Sequence, residues 1–238
     1  MCMYNVNYDG ESVTSIAKGN KKMGKIPSVS LLPGAHPLRL KNGEILTDIK
    51  GTCTGCCENC CEENCYAINY AKYHHNSCIP AYAKNTLLAR HEMERYFNDI
   101  QKYIDGQKKN KVTVFRFHVS GEIPSVMYLK RMMQFAEDNP TIQFYCYTKR
   151  FNWIERYIHE NGSLPKNFIA LMSIWHKNYD NPFHLPEFIY DDGVEPDVSA
   201  LPHCRAVDKN GKETGVTCEE CGMCYHSKKN SKIAVYAH

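Results

Sequence analysis

Residues 112–148 read VTVFRFHVSGEIPSVMYLKRMMQFAEDNPTIQFYCYT, and this stretch decides the fold class. The runs VTVFRFHV and TIQFYCYT are rich in β-branched and aromatic residues, which is typical of buried strands. SVMYLKRMMQFAED, between them, has apolar residues at helical spacing and ends before Asn139-Pro140. A strand, a helix and a strand in this order predict two parallel strands joined by a right-handed crossover.

The alternation of helices and strands continues on both sides of this stretch. Apolar spacing predicts a helix over Ala81–Ile104, a second helix in NWIERYIHEN that closes at Gly162, and a third strand in NFIALMSIW. We therefore predict an α/β fold, a partial (open) β/α barrel over residues 1–176. Residues 177–238 are rich in Pro, Asp, Asn and Gly, which predicts a loop-rich, cysteine-containing C-terminal extension with short strands that packs on the barrel.

The composition predicts a globular protein without a membrane partner. The 238 residues are 43% hydrophobic and 23% charged, with a net charge of +3. No stretch approaches the roughly 18 apolar residues that a membrane span needs, and the N-terminus has no apolar core behind a basic start, so no secretory signal is visible. We predict a cytoplasmic location. A charge so near neutral does not by itself indicate nucleic-acid binding.

Thirteen cysteines are concentrated in two groups, and in a reducing cytoplasm dense thiols indicate metal binding rather than disulfides. Six lie in the loop GTCTGCCENCCEENCYA, residues 51–67. A helix through the thiols that recur every four residues would be about 18 Å long, too long for them to meet at one metal. We predict a loop folded around a cluster. The candidate ligands are Cys53, Cys57, Cys61 and Cys65, and the alternatives are Cys56 and Cys60.

The second group contains four thiols at ferredoxin-like spacing. Its members are Cys204, Cys218, Cys221 and Cys224. Two consecutive CxxC intervals with a remote partner are typical of iron–sulfur clusters, whereas zinc ribbons separate their CxxC pairs by a long loop. His203 and His226 stay open as substitute ligands. We predict one or two 4Fe–4S clusters, with zinc as the alternative metal.

The first strand runs into Ser120-Gly121-Glu122, at the edge where α/β folds bind ligands. A carboxylate at this position can hold an amino group. The alternative role of Glu122 is to stabilise the N-terminus of the following helix.

Further polar residues are predicted at the same rim of the sheet. Arg116 and His118 alternate with aromatic residues and should face one side of their strand. Thr148-Lys149-Arg150 and Trp175-His176 end the next two strands. The candidate catalytic residues are His118, Glu122 and Lys149.

This order of motifs resembles the radical SAM superfamily. Members bind a 4Fe–4S cluster through CxxxCxxC after the first strand, and Cys53, Cys57 and Cys60 match that spacing. Asn59 departs from the pattern, because the superfamily usually has an aromatic residue before the last cysteine. The Ser-Gly-Glu segment corresponds to the GGE motif, which lies near the amino group of SAM. The resemblance implies SAM as a cofactor, and the implied binding residues are Ser120, Gly121, Glu122 and Arg116.

A likeness over most of the chain is to the bacteriophage gene product eighty-eight family. The shared motifs are SLLPG at Ser30, TCTG at Thr52, CYA at Cys65, FRFHVSGE at Phe115, FYCYTKR at Phe144 and the terminal CGMCYHSKKNSKIAVYAH. The resemblance implies a metal-binding, radical-SAM-like fold and a location in the host cytoplasm. It also implies that Cys53, Cys61 and Cys65 are the retained thiols of the first group.

Two functions follow from this sequence. In the first, three thiolates hold a 4Fe–4S cluster with one open iron, and an electron donor drives reductive cleavage of SAM on an unknown substrate. The second cluster then relays electrons or braces the extension. In the alternative, the protein is a non-catalytic iron–sulfur or zinc protein that binds nucleic acid, through Arg116, Lys149 and Arg150, or binds a protein partner.

Overall fold

The computed structural model describes residues 13–35, 37–39, 45–54, 65–74, 77–174 and 180–236. Several predicted site residues lie outside these ranges: Cys56, Cys57, Cys60, Cys61 and Trp175-His176. The strands are β1 (Pro37–Arg39), β2 (Ile45–Lys50), β3 (Val114–Phe117), β4 (Gln143–Thr148), β5 (Phe168–Ile174), β6 (Glu187–Asp191) and β7 (Lys232–Tyr236). The helices are α1 (Tyr66–Tyr73), α2 (Cys78–His91), α3 (Met93–Gly106), α4 (Val126–Asp138), α5 (Phe151–Asn161), α6 (Pro196–Ser199) and α7 (Cys218–Cys221).

Five strands form one parallel sheet in the order β3-β4-β5-β6-β7, and β1 and β2 form an antiparallel pair. Each strand of the large sheet pairs with the next one in the chain, so the carboxyl ends of all five lie at one edge. The predicted α/β class with parallel strands is confirmed. Over the described residues the sheet is open. The short strands expected in 177–238 are β6 and β7, which extend this same sheet.

The two faces of the sheet differ in polarity. Alternate residues of the first three strands bury apolar side chains on one face: Phe115, Phe117, Phe144, Cys146, Phe168, Ala170 and Met172. Cys146 is fully buried there, as expected for a small apolar residue rather than a ligand. The opposite face, here called the Arg116 face, is built from Arg116, Tyr145, Tyr147, Ser173 and Phe188.

Two predicted elements are shorter than expected. The helix predicted over Ala81–Ile104 is two helices, α2 and α3, because Glu92 leaves the helical region at φ −133° and ψ 49°. Glu92 is neither Gly nor Pro, so no local signal marks this break. The strand predicted over Val112–Val119 ends at Phe117, since His118 has a positive φ of 55°. The prediction that His118 continues the alternation of Arg116 is therefore wrong.

The chain divides into two compact units. The first contains Met1–Ile16, Ser28–Val112 and His118–Phe135, and the second contains Ala17–Pro27, Thr113–Phe117 and Ala136–His238. The large sheet belongs to the second unit, and the helices α1, α2 and α3 belong to the first. Within the described part of the chain, no helix combines the length and the apolar character needed to cross a membrane.

Candidate functional site

Four half-buried thiols belong to the second unit: Cys204, Cys218, Cys221 and Cys224. Negative charge on Cys204 raises the pKa of both Cys218 and Cys224, and Cys221 does the same to Cys218. These couplings place the second cysteine group, including its remote member, in one electrostatic neighbourhood of the second unit.

Local hydrogen bonds hold the CEECGMC segment independently of any metal. Thr217 and Glu220 form a reciprocal capping box at the start of α7, where the Thr217 hydroxyl accepts from the Glu220 amide at 3.2 Å. Gly222 ends α7 in the left-handed region, with φ 69°. A loop near the N-terminus adds two long-range bonds: the Cys218 amide donates to Lys22 O at 2.8 Å, and the Lys25 amide donates to Glu219 Oε2 at 2.8 Å.

Cys204 is positioned by the edge strand β7. Its amide donates to Ala234 O at 2.8 Å, next to an isolated parallel bridge between His203 and Ala234. The His203 ring stacks on Tyr236 with 4.0 Å between centroids. Both ring nitrogens of His203 are engaged, Nδ1 with Leu201 O and Nε2 with Asp191 Oδ2, each at 2.8 Å. His203 is thus a brace for Cys204 and is not placed as a substitute metal ligand.

The pairing of His203 with Asp191 predicts a pH-dependent contribution to the stability of the fold. The hydrogen bond with His203, aided by those from Gly193 and Ser199, holds the pKa of Asp191 below its ordinary value of 3.8 against the opposing effect of burial. Since the folded-state pKa is the lower one, the stabilisation is complete above 3.8 and is lost as the pH falls through the folded-state pKa. Asp191→Asn should lower the free energy of unfolding near pH 7 by about 1–2 kcal/mol.

Urea unfolding of both proteins between about pH 2 and pH 7 would measure this difference. The difference in the free energy of unfolding between wild type and Asp191→Asn should become smaller as the solution becomes more acidic. The exposed neighbour Asp192, whose Oδ1 accepts from the nearby Val194 amide at 3.0 Å, provides the control Asp192→Asn. A difference in the free energy of unfolding that stays constant with pH would contradict the role given to Asp191.

The Arg116 face of the sheet carries a cation among tyrosine rings. The Arg116 guanidinium lies 4.5 Å from the centroid of the Tyr147 ring and 5.9 Å from that of Tyr145. Tyr145 in turn packs against Tyr225, with centroids 5.8 Å apart. Burial raises the pKa of Tyr147 well above its ordinary value, negative charge on Cys224 raises it further, and Arg116 lowers it. One cation and three tyrosines thus form a connected group in the second unit.

Burial and mutual repulsion oppose thiolate formation at this site. Burial raises the pKa of Cys224 to about 12 and also raises the pKa of Cys218, while the positive charge of Arg116 partly offsets both shifts. Thiolates in such surroundings need positive charge close by, and a metal or cluster supplies it on displacing the thiol protons. The donor set fits an iron–sulfur cluster in number and spacing. Among the described residues, no group of three or more His, Cys, Asp or Glu side chains is arranged to hold one metal ion.

In the first unit, Thr52 joins the start of the N-terminal cysteine loop to the Ser-Gly-Glu segment. The fully buried Thr52 hydroxyl accepts from the Glu122 amide at 2.7 Å and donates to Leu32 O at 2.9 Å. The Leu31 amide donates to Ser120 O at 2.8 Å. The SLLPG, TCTG and SGE motifs, far apart in sequence, thus form one hydrogen-bonded unit.

The Ser-Gly-Glu segment has a conformation that only glycine accommodates easily. Gly121 has a φ of 78°, and a Cβ built there would lie 2.7 Å from both Leu31 O and Thr52 Oγ1. Glu122 is 5% exposed, and its Oε1 accepts from the Ile123 amide at 2.9 Å. Ser120 is also 5% exposed, and its Oγ has no hydrogen-bond partner among the described residues. A buried hydroxyl of this kind is a site at which a ligand can bind.

The other predicted site residues have separate surroundings. Cys53 is half-buried, with its amide donating to Gly34 O at 3.1 Å, and Cys65 is the residue that precedes α1. His118 is buried, with Nε2 3.1 Å from the Tyr128 hydroxyl. Lys149 Nζ donates to Ser173 Oγ at 3.0 Å, at the carboxyl end of β4. Arg150, predicted as a phosphate contact, is buried with its guanidinium 4.2 Å from the Trp153 ring.

The sequence interpretation misses the tyrosines of this site. Tyr147 and Tyr145 occur in a run that is typical of an ordinary buried strand, and nothing local links them to Cys224. The resemblance to radical SAM enzymes assigns Arg116 to SAM binding, which stays a prediction; in the structure its guanidinium lies over the Tyr147 ring. The one available signal is the period of two along FYCYTKR, which sets both tyrosines on the same face as Lys149.

One comparison with known proteins gives a match. A family model described as Gene product 88 matches residues 12–228, which is most of the chain. No curated protein and no solved structure matches it significantly.

Proposed function

The chain belongs to the Gene product 88 family, as its motifs predicted, and from this premise we propose that it is an iron–sulfur protein. In this proposal a 4Fe–4S cluster is bound by Cys204, Cys218, Cys221 and Cys224. The observation that carries the proposal is the spacing of CEECGMC, whose backbone is held by the hydrogen bond from the Cys218 amide to Lys22 O, together with Cys204, whose amide donates to Ala234 O in the same unit. Four cysteines at these intervals are typical of the ligands of an iron–sulfur cluster.

The surrounding residues support a cluster site in three ways. Hydrogen bonds from Lys25 and to Lys22 hold α7, so the thiols have their positions before a cluster binds. The pairing of His203 with Asp191 holds the segment that carries Cys204. The positive charge of Arg116 lowers the pKa of both Cys218 and Cys224 against the larger effect of burial, which favours the thiolates that a cluster needs.

A second candidate function, radical-SAM-like cleavage of SAM in a partial β/α barrel, is supported by the first unit. There the hydrogen bond between Thr52 and Glu122 brings the start of the cysteine loop beside the Ser-Gly-Glu segment. A cluster bound by three thiolates from among Cys53, Cys57, Cys61 and Cys65 would supply one electron to SAM. The Glu122 carboxylate would bind the amino group of SAM, and the buried Ser120 hydroxyl would provide a further polar contact.

The test begins with anaerobic purification of the full chain, followed by counts of iron, acid-labile sulfide and zinc and by a visible spectrum. We expect iron and sulfide in equal amounts, with broad charge-transfer absorbance. A colourless protein with stoichiometric zinc would overturn the proposal in favour of a zinc protein. The second candidate has its own readouts: calorimetric binding of SAM, and 5′-deoxyadenosine after reduction with dithionite. A protein that holds iron but neither binds nor cleaves SAM would retain the first proposal and eliminate the second.

A further inference from the structure

The Arg116 face of the sheet combines positive charge with aromatic rings that are only half-buried. We propose that this face binds a small organic oxyanion, a carboxylate or a phosphate ester, that carries a planar ring. The binding group consists of Arg116, Tyr147, Lys149, Ser173 and Phe188, which all belong to the second unit. This binding needs no thiol and goes beyond the proposed iron–sulfur function.

The strands of the large sheet place positive and negative side chains on opposite faces. Arg116 lies on β3, and Lys149 directly follows β4 on the same face as Tyr147. The two carboxylates of the five strands, Glu187 and Asp191, lie on the other face, because Glu187 pairs there in register with the strand β5. Counting the strand residues together with Lys149, the Arg116 face carries two positive charges and no carboxylate. This charge is complementary to an anionic ligand.

Lys149 and Ser173 form a pair of hydrogen-bonding groups at the carboxyl edge of the sheet, where open α/β sheets bind ligands. Lys149 Nζ donates to Ser173 Oγ at 3.0 Å. An ammonium group has three N–H donors, and a hydroxyl that accepts from it keeps its own proton for a further acceptor. Both side chains are half-buried, so a ligand can reach them while water is partly excluded. An oxyanion placed against this pair can accept from both residues.

Tyr147 lies at the centre of the group. Its ring centroid lies 4.5 Å from the Arg116 guanidinium and 4.7 Å from the centroid of the Phe188 ring, with 68° between the two ring planes. The cation–π contact holds the guanidinium beside the ring. Tyr147 and Phe188 therefore present aromatic surface next to a cation. A planar ring attached to the anion can pack on this surface, and burial of its apolar area favours binding.

The position of Arg150 favours a small molecule over a nucleic-acid backbone. A surface that binds successive phosphates needs a groove of cations that follows the strand. Arg150 directly follows Lys149, but it is buried, with its guanidinium 4.2 Å from the Trp153 ring. The three cations therefore do not form an exposed row, and we expect a single anionic group to be bound.

The test is isothermal titration calorimetry of the anaerobically purified full chain with phenyl phosphate, benzoate, inorganic phosphate and phenol. Phenyl phosphate or benzoate should bind more tightly than inorganic phosphate, which lacks the ring, and than phenol, which lacks the charge. The tighter of the two identifies the oxyanion. Lys149→Gln should weaken its binding about tenfold, because a hydrogen bond to a charged group is lost. Lys166→Gln, which removes an exposed positive charge from the same unit, is the matched control and should bind as wild type does.

Two further variants separate the contributions of charge and ring. Arg116→Gln should also weaken binding about tenfold, whereas Phe188→Leu should weaken binding of the aromatic probe and leave that of inorganic phosphate unchanged. Circular dichroism reports whether each variant folds, and Lys149→Gln with Phe188→Leu decides the question if Arg116→Gln does not.

Two results would overturn the inference. The first is a wild type that binds neither aromatic probe, or that binds it no more tightly than Lys149→Gln does, whatever the iron content that reports on the proposed function. The second is binding of a single-stranded oligonucleotide that Lys149→Gln and Lys166→Gln weaken equally, which would indicate a general attraction for polyanions.

Discussion

Replacing Gly121 with Ala is expected to destabilise the protein by about 3 kcal/mol. Two separate costs add at this position. An L residue at φ 78° is strained, and its Cβ would lie 2.7 Å from Leu31 O and from Thr52 Oγ1. Thr52 Oγ1 is held by hydrogen bonds with Glu122 N and Leu32 O, and the Leu31 amide is bonded to Ser120 O, so the Ser-Gly-Glu segment itself would have to move. Urea or thermal unfolding of the purified variant would measure the loss.

Substitutions at two other glycines allow the backbone strain at Gly121 to be measured separately from its steric clash. Gly162 has a similar φ of 83°, but a Cβ at that position would meet no atom of the described residues within 4 Å, so Gly162→Ala should cost only about 1 kcal/mol. Gly51 has no positive φ, yet a Cβ there would meet Gly34 O, so Gly51→Ala reports on the clash alone. If Gly121→Ala were no worse than Gly162→Ala, the close packing of Leu31 and Thr52 against the Ser-Gly-Glu segment would be refuted.

Replacing Cys224 with Ala is expected to abolish the C-terminal cluster, with a loss of about four irons per chain. Cys224 ends the CEECGMC run, and its pKa is raised by burial and by negative charge on Cys204 and Cys218. Removing it leaves three thiols in this group. Iron and sulfide analysis with visible absorbance gives the loss directly, and circular dichroism reports whether the fold is retained.

The matched control is Cys78→Ala. Cys78 is also a half-buried free thiol, but it begins α2 in the first unit, outside both cysteine groups. Its replacement should leave the iron content at the wild-type value. Retention of all iron in Cys224→Ala, combined with its loss in Cys53→Ala, would show that the N-terminal loop binds the only cluster and that the assignment of Cys224 is wrong.

Secondary structure was largely predictable from local patterns because periodicity reflects which side chains are buried. The runs around Phe115, Phe144 and Phe168 are strands β3, β4 and β5, and the helical spacing after Pro124 is α4. The break at Glu92 and the end of β3 at Phe117 were not predictable, since both depend on backbone angles that ordinary residues adopt only under constraint from distant contacts.

The candidate cysteine ligands of the site could be predicted from the sequence, whereas the other side chains near them could not. The number and spacing of the thiols identify Cys204, Cys218, Cys221 and Cys224 as a group, because short intervals between ligands are a local property of the chain. The side chains that influence the pKa of that group come from β3 and β4, more than 50 residues earlier in the sequence. No local pattern carries the information that Arg116 on β3 influences Cys218 and Cys224.

The sequence alone therefore determined the family, the alternation of strands and helices, and which residues have the chemistry to bind a metal. Only the tertiary structure decided that Arg116 lies over the Tyr147 ring, that His203 braces Cys204 by pairing with Asp191, and that Thr52 links the start of the cysteine loop to Glu122. The physical reason is that composition and spacing are properties of neighbouring residues. Strand register and long-range hydrogen bonds, by contrast, form only when the chain closes on itself and distant groups share one face of the sheet.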